Sequence, residues 1–413
     1  MFDKLLSFFD TRLALEIWDS ALLFAPVWVP LLFILVWFDV WLSYKQREYI
    51  KSQGALLLEI KIPREISRSP VAMEIFLGNL YQTGVGSLID VYLKGRVRPW
   101  FSLELISLGG AVHFYIWLHP KFKNVVESQL YAQYPNIEIH EAKDYALDVV
   151  HNPEKTSFGW FGQFALTKAD AYPIKTYVDY GLHEDPKEEF KNDPIVPVLE
   201  FLGSLRRGEQ AWIQILIQGH TKEGIKYGRF FPKSDWKPKI EKEIKDIVKK
   251  GVMKADDTKA SSTLSLTKAQ QDVIGAIERA AAKPAFDTMI RGAYMADKEI
   301  FNPNNIGGLL GSFKQFSSNA LNGFRPGWST GYDYPWQDFR GKKKLENEKK
   351  ILEAYKRRSF FNPPFKNFKA NPFILTTEEL ATLWHFPSSI VAATPTLTRI
   401  PSKKAEAPSN LPI

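Results

Sequence analysis

Apolar and polar positions divide the chain into one long apolar run and a series of shorter periodic segments. The run is residues 21–43, ALLFAPVWVPLLFILVWFDVWLS. About 23 helical residues cover the roughly 30 Å hydrocarbon core of a bilayer. Trp28, Trp37 and Trp41 supply interfacial rings, and Asp39 stands near one end. Pro26 falls in the first turns, where a missing N–H costs little. Pro30 is expected to kink the helix. The run begins late and lacks a basic start and a small-residue cleavage site, so it reads as an anchor rather than a signal peptide. In residues 1–20, Leu5, Phe9, Leu13 and Ile17 recur every four positions, predicting an amphipathic segment on the membrane surface. Lys45, Arg47 and Lys51 follow the span, and only Lys4 and Arg12 precede it. The positive-inside rule then predicts a single pass through the inner (plasma) membrane with the C-terminal domains cytoplasmic.

Beyond the span, strand-like alternation and helical spacing take turns. Residues 55–62 (ALLLEIKI) read as a strand closed by Pro63. Residues 69–82 read as a helix with Ser69 as N-cap and Pro70 at its first position. Two runs, 100–107 and 111–118, flank Leu108-Gly109-Gly110, a hairpin turn. Pro120 opens a helix over 120–133, and 136–141 alternates as a last strand. The order β-α-β-β-α-β is that of the ferredoxin-like split unit, expected over 55–145. A second α/β domain is expected over 156–325. It has extended segments in 160–178, strands at 211–218 and 285–296, and helices at 194–205, 265–282 and 303–316. The predicted fold class is α+β: an N-terminal transmembrane helix, one or two ferredoxin-like (βαββαβ) α/β sandwich domains and an extended C-terminal tail. A Lys-rich insertion at 222–259, with a charged helix at 234–250, and a basic, aromatic insertion at 326–371 interrupt this plan. Residues 372–413 read as a helix followed by the Pro-, Ser- and Ala-rich tail.

Charge adds candidate chemistry. The net charge is +8, and the first 44 residues are net acidic, so the basic excess lies beyond the span. That suits an anionic leaflet, a nucleic acid, or solubility alone. Lys237, Lys242, Lys245 and Lys249 lie near Phe230, Phe231 and Trp236; Lys342, Lys343, Lys344, Lys356, Arg357 and Arg358 precede Phe360, Phe361, Phe365 and Phe368. Cations beside stacking rings suit single-stranded nucleic acid, DNA included. Both stretches are also interleaved with Glu241, Glu243, Glu346, Glu348 and Glu353, the pattern of a solvated helix with i,i+4 pairs. A membrane surface or partner protein is the third reading.

Catalytic signals are absent from the sequence. With no Cys there are no disulfides, thiolate nucleophiles or zinc–thiolate sites. The seven His are scattered, none four residues from another. A P-loop needs GxxxxGK[ST]; the nearest glycine cluster, Gly307 to Lys314, lacks the final step. Neither GxSxG nor HExxH occurs. Glu188-Glu189 and Glu378-Glu379 read as helix-start charges, and Glu104 with His113 as a surface cross-strand pair. The sequence therefore predicts a non-enzyme without metal or cofactor.

Several phrases, in order, resemble the pre-motor region of FtsK/HerA-like ATPases of type IV secretion and conjugation. They are PWFSLELISLGGAVHFYIWL at 99–118 with YPNIEI at 134–139, then GLHEDPKEEFKNDPIVPVLEFLGSLRRGEQAWIQILI at 181–217. IGGLLGSFKQFSSNALNGFRP at 306–326 and LTTEELATLWHFPSSIVAATPTLTRIPSKKAEAPSNLP at 375–412 complete the series. The opening LLLEIKIPREISRSPVAMEIF at 56–76 resembles a group of uncharacterised bacterial membrane proteins. The sequence ends at Ile413, where such a motor would begin, and it has no Walker A lysine. The resemblance thus implies a non-catalytic, membrane-anchored scaffold subunit acting with a separate P-loop motor ATPase, arranged side by side as a homo-oligomeric ring, with 387–413 as the docking tail. A membrane-tethered nucleic-acid-binding protein is the alternative.

Overall fold

The computed structural model describes residues 11–63, 68–184, 192–228, 235–256, 266–332, 334–387 and 399–400. The start of the predicted amphipathic segment, Phe230 and Phe231, the end of the Lys-rich insertion and most of the C-terminal tail lie outside these residues. The chain is α+β, with an apolar N-terminal helix followed by helices packed on a largely antiparallel sheet.

Helix α1 (Thr11–Leu23) ends at Phe24, and α2 (Ala25–Gln53) begins with Pro26 in its first turn. Helix α2 runs through Pro30 and well past the predicted end of the span, stopping at Gly54, whose φ of 70° breaks the helix. The following elements are β1 (Leu56–Pro63), α3 (Val71–Asn79), α4 (Leu88–Tyr92), β2 (Trp100–Leu108), β3 (Ala111–Leu118), α5 (Lys123–Gln133) and β4 (Glu138–Glu141). Helix α3 starts one position later than predicted. The Ser69 hydroxyl accepts from the Val71 N–H at 3.3 Å and donates to the Leu182 carbonyl at 2.6 Å. The second half holds β5 (Thr156–Leu166), α6 (Val196–Gly203), β6 (Glu209–Gly219), α7 (Lys237–Asp256), α8 (Lys268–Ala281), β7 (Ala285–Asp297) and α9 (Asn304–Gly311). It continues with β8 (Phe324–Ser329), α10 (Lys342–Lys356), β9 (Phe373–Thr376), α11 (Thr377–Leu383) and β10 (Arg399–Ile400).

The first four strands lie in the order β4-β1-β3-β2, every neighbour antiparallel. The second half repeats that arrangement as β8-β5-β7-β6. The halves join edge to edge through β2 and β6, antiparallel from Trp100↔Gln218 to Leu108↔Gln210. This pairing removes two exposed strand edges and makes one continuous sheet. β9 adds to β7, and β10 pairs parallel with β1.

Strand alternation sorts the side chains onto two faces. On one face Leu58, Ile60, Phe101, Leu103, Leu105, Ile213, Ile215 and Ile217 meet apolar residues of α3, α5, α6, α9 and α11. On the other, Trp100, Ile106, Trp117, Trp212, Leu216 and Met289 meet Ile351, Leu352 and Tyr355 of α10, followed by Phe360 and Phe361. The predicted insertion at 326–371 therefore supplies an edge strand and the cover of the second face.

A polar row lies beneath that cover. Register places Glu104, Gln214, Arg291 and Gln163 side by side across β2, β6, β7 and β5. Arg291 donates to the carbonyls of Ala354 and Ser359, at 3.1 and 2.8 Å. Gln163 donates to Phe368 O at 2.8 Å. Glu104 accepts from both Arg358 Nε and Nη2 at 2.9 Å. Two expectations are corrected here. Glu104 is not a surface partner of His113: it faces Tyr115 in the ladder and is fully buried, and His113 bonds Glu59 at 2.8 Å. Phe360 and Phe361 are buried core residues rather than surface rings.

Candidate functional site

The two ends of α2 behave differently. From Val27 to Trp37 its large apolar side chains, Val29 apart, are about half exposed or more, as suits a helix surrounded by lipid. The helix is apolar and long enough to cross a membrane. Trp28 and Trp37 are exposed and Trp41 half-buried, and Trp37 and Trp41 stack at 5.8 Å. Lys45 lies 5.3 Å from the Trp41 ring centre and pairs with Glu48, while Arg47 is exposed.

The other end is docked on the body. Leu42 and Gln46 are buried, and Tyr49 and Ile50 pack against the core under α10. Phe38 meets the Tyr92 ring of α4 at 5.4 Å. Gly95, at φ +70°, passes so close to α2 that a Cβ would lie 2.2 Å from the Lys45 carbonyl oxygen. Lys121 reaches Gln53 at 2.9 Å. The helix thus runs without a break from its exposed apolar surface to its docked end on the core.

Beside this dock lies a polar cavity of about 600 Å³. Arg98, buried, donates to Gly219 O at 2.5 Å and pairs with Glu223 and Asp287. His220 Nδ1 sits 2.9 Å from Asp287, with Nε2 3.4 Å from Asp235. Lys168, Asp170, Trp236 and Lys239 also line it, and among the described residues no hydroxyl or thiol does. Arg98, just before β2, is held by Glu223 beyond β6 and by Asp287 of β7, and His220, just after β6, shares Asp287.

The predicted basic residues separate. Lys237, Lys242, Lys245 and Lys249 are exposed on α7, whose inner face packs Trp236, Ile240 and Ile244 toward Ile277 of α8. Lys342, Lys343 and Lys344 are exposed at the start of α10, where Asp338 accepts from the backbone N–H groups of Lys343 and Lys344. Lys356 is half-buried, and Arg357 is exposed and paired with Glu353 at 3.1 Å. Arg358 belongs to a different environment. It is fully buried between Glu104 and Asp144, so it serves the fold and presents no surface cation.

Sequence reasoning missed an exposed aromatic group beside Lys342–Lys344. Tyr332, Tyr334, Trp336 and Phe339 protrude, Trp336 at 74% and Phe339 at 88% exposure. Tyr334 and Trp336 stack at 4.6 Å. The available signal was the phrase GYDYPWQDF, dense in rings yet without the period of a strand or helix that could bury them.

A family model described as a domain of unknown function (DUF8128) matches residues 87–398, from the cap of α4 onward. Among curated proteins none matches the chain.

Proposed function

The chain belongs to the DUF8128 family, and from that premise we propose that it is a non-catalytic, membrane-anchored assembly subunit of a type IV secretion or conjugation-like machine. The observation that carries the reading is the unbroken passage of α2 from an exposed apolar surface into the core. A helix docked through Leu42, Gln46, Tyr49 and Ile50 sets the orientation of the body relative to the bilayer. Fixed orientation is what a scaffold needs and a tethered enzyme does not. The helix crosses the inner membrane once, with the body in the cytoplasm, in keeping with Lys45, Arg47 and Lys51 after the span. Each half of the sheet is a ferredoxin-like unit, a reading supported by the repeated antiparallel strand order. Likeness to the pre-motor region of FtsK/HerA-like ATPases supports a P-loop motor as partner in trans and a ring of subunits around it. A mild-detergent pulldown of the full chain tests this: the motor is expected to co-purify, and to be lost when residues 387–413 are deleted. Recovery of the chain without any P-loop protein would sink the reading.

Nucleic-acid binding is the second reading, favoured by Tyr334, Trp336 and Phe339 beside Lys342–Lys344. Binding of single-stranded DNA should then weaken steeply with salt and fall further in a Trp336→Ala, Phe339→Ala variant.

A further inference from the structure

Helix α4 and the turn around Ile225 form an exposed apolar edge beside α2. Leu88, Ile89, Leu93 and Ile225 are 52%, 61%, 60% and 61% exposed, far more than isolated core-forming residues would be. They are held together: the Tyr92 hydroxyl donates to Ile225 O at 2.6 Å, and a capping box of Ser87 and Asp90 fixes the start of α4. They are also held against one level of α2. Tyr92 touches Phe38, and Gly228, at φ +75°, lets the turn close on Leu42, whose Cδ2 would lie 2.9 Å from any added Cβ.

That level has a meaning if α2 crosses a bilayer. A span needs about 20 residues at ~1.5 Å each. Counted from Ala21 it ends near Val40, and counted from Ala25 near Tyr44. Either way the Phe38–Leu42 stretch, with the stacked Trp37 and Trp41, falls at the boundary between hydrocarbon and headgroups. Whatever packs against that stretch lies at the same depth. Around the apolar edge stand Lys94, Arg96, Lys222 and Lys226, all exposed, with Asp90 paired to Lys94. Cations around an apolar edge match an anionic lipid surface.

We propose that Leu88, Ile89, Leu93 and Ile225 form a second membrane contact that inserts into the headgroup boundary beside α2, with the surrounding lysines and arginine on anionic lipid phosphates. This contact rests on the reading of α2 as a membrane span. It adds a second, separate point of attachment, and two points prevent the body from swinging about the helix. The occupant is the bilayer itself because the edge is continuous with the surface of α2 that faces lipid.

The absence of cysteine allows a direct test on the full chain. Single variants Ile34→Cys, Ile89→Cys, Ile225→Cys and Val150→Cys are spin-labelled and reconstituted in vesicles of phosphatidylcholine and phosphatidylglycerol. Val150 is 72% exposed and lies beside Gly208 and Gln210, at the end of the sheet away from Arg98. Labels at 34, 89 and 225 should collide freely with oxygen and show a several-fold loss of collisions with a water-soluble nickel chelate relative to 150. If 34 reports lipid while 89 and 225 behave like 150, the second contact is overturned and the span stands. If 34 also reports water, the span fails and the contact with it. Exclusion of both reagents at 89 would point to a second copy of the chain on this edge and would equally overturn the proposal.

Discussion

Two buried carboxylates show how context sets the state of a single residue. Burial alone would raise the Glu104 carboxyl, but the Arg358 charge and the donors from Arg358, Ser102 and Tyr145 outweigh it and hold the group below its ordinary value. Its contribution to stability is present above the ordinary carboxylate range and is lost as pH falls through the lowered value. Replacing Arg358 with Met leaves Glu104 buried and unpaired, and should cost about 3–5 kcal/mol in denaturant unfolding. Adding Glu104→Gln to that variant should recover part of the loss. Glu379 behaves in the opposite sense. It is wholly enclosed, and burial pushes it up to about 7 against the donors of Thr376 and Ile174. The folded state therefore holds a proton that the unfolded chain releases near 4.5. Stability should fall as pH rises from about 4.5 to 7, by up to about 3 kcal/mol. Unfolding free energies measured across that window check the slope, which Glu379→Gln should flatten.

At the scale of elements, the decisive packing is α2 on the body. Gly95 makes it possible, since its φ of +70° is strained for other residues and a side chain there would strike the backbone of α2. Gly95→Val should destabilise by roughly 2 kcal/mol or more. The loss should be local: amide exchange at Lys45–Gln53 should accelerate while that of β6 changes less. The segment from α10 to Phe368 is the second case. Its helix is predicted by the charge pattern, with Glu346–Lys350 and Glu353–Arg357 pairs on the outside. Its inner face carries Ile351, Leu352, Ala354 and Tyr355, with Glu348 buried against His151, enough to seat it over the sheet while the polar row binds its C-terminal carbonyls. Arg291 is pushed down to about 9 by burial and remains tolerable there because the end of α10 presents negative dipole ends to it.

For the whole molecule, the junction of β2 and β6 matters most. Both strands are central, and their ladder has the same cores above and below as the rest of the sheet. The two halves should therefore unfold together. In native-state hydrogen exchange, the slowest amides of β3 and β7 should open with the same free energy, and denaturant should give one transition by every probe. Two separate transitions would mean that the ladder contributes little.

Local pattern alone predicted the apolar helix, the β-α-β-β-α-β order of the first half, the strands at 211–218 and 285–296 and the helical basic run. These are readable because period-2 and period-3.6 spacings, glycine turns and proline starts act within a few residues. It could not predict which alternating face would be covered. Glu104 reads as a surface residue, and only the return of residues 342–368, far along the chain, encloses it and its neighbour Gln214. Arg358 read as one cation in a basic run for the same reason, since its partner Glu104 is distant in sequence. The candidate site follows this division. The tryptophans and cations of the span are set by composition, whereas the level at which α4 meets α2 depends on long-range packing. Burial is a property of assembled surfaces, and no local period encodes it.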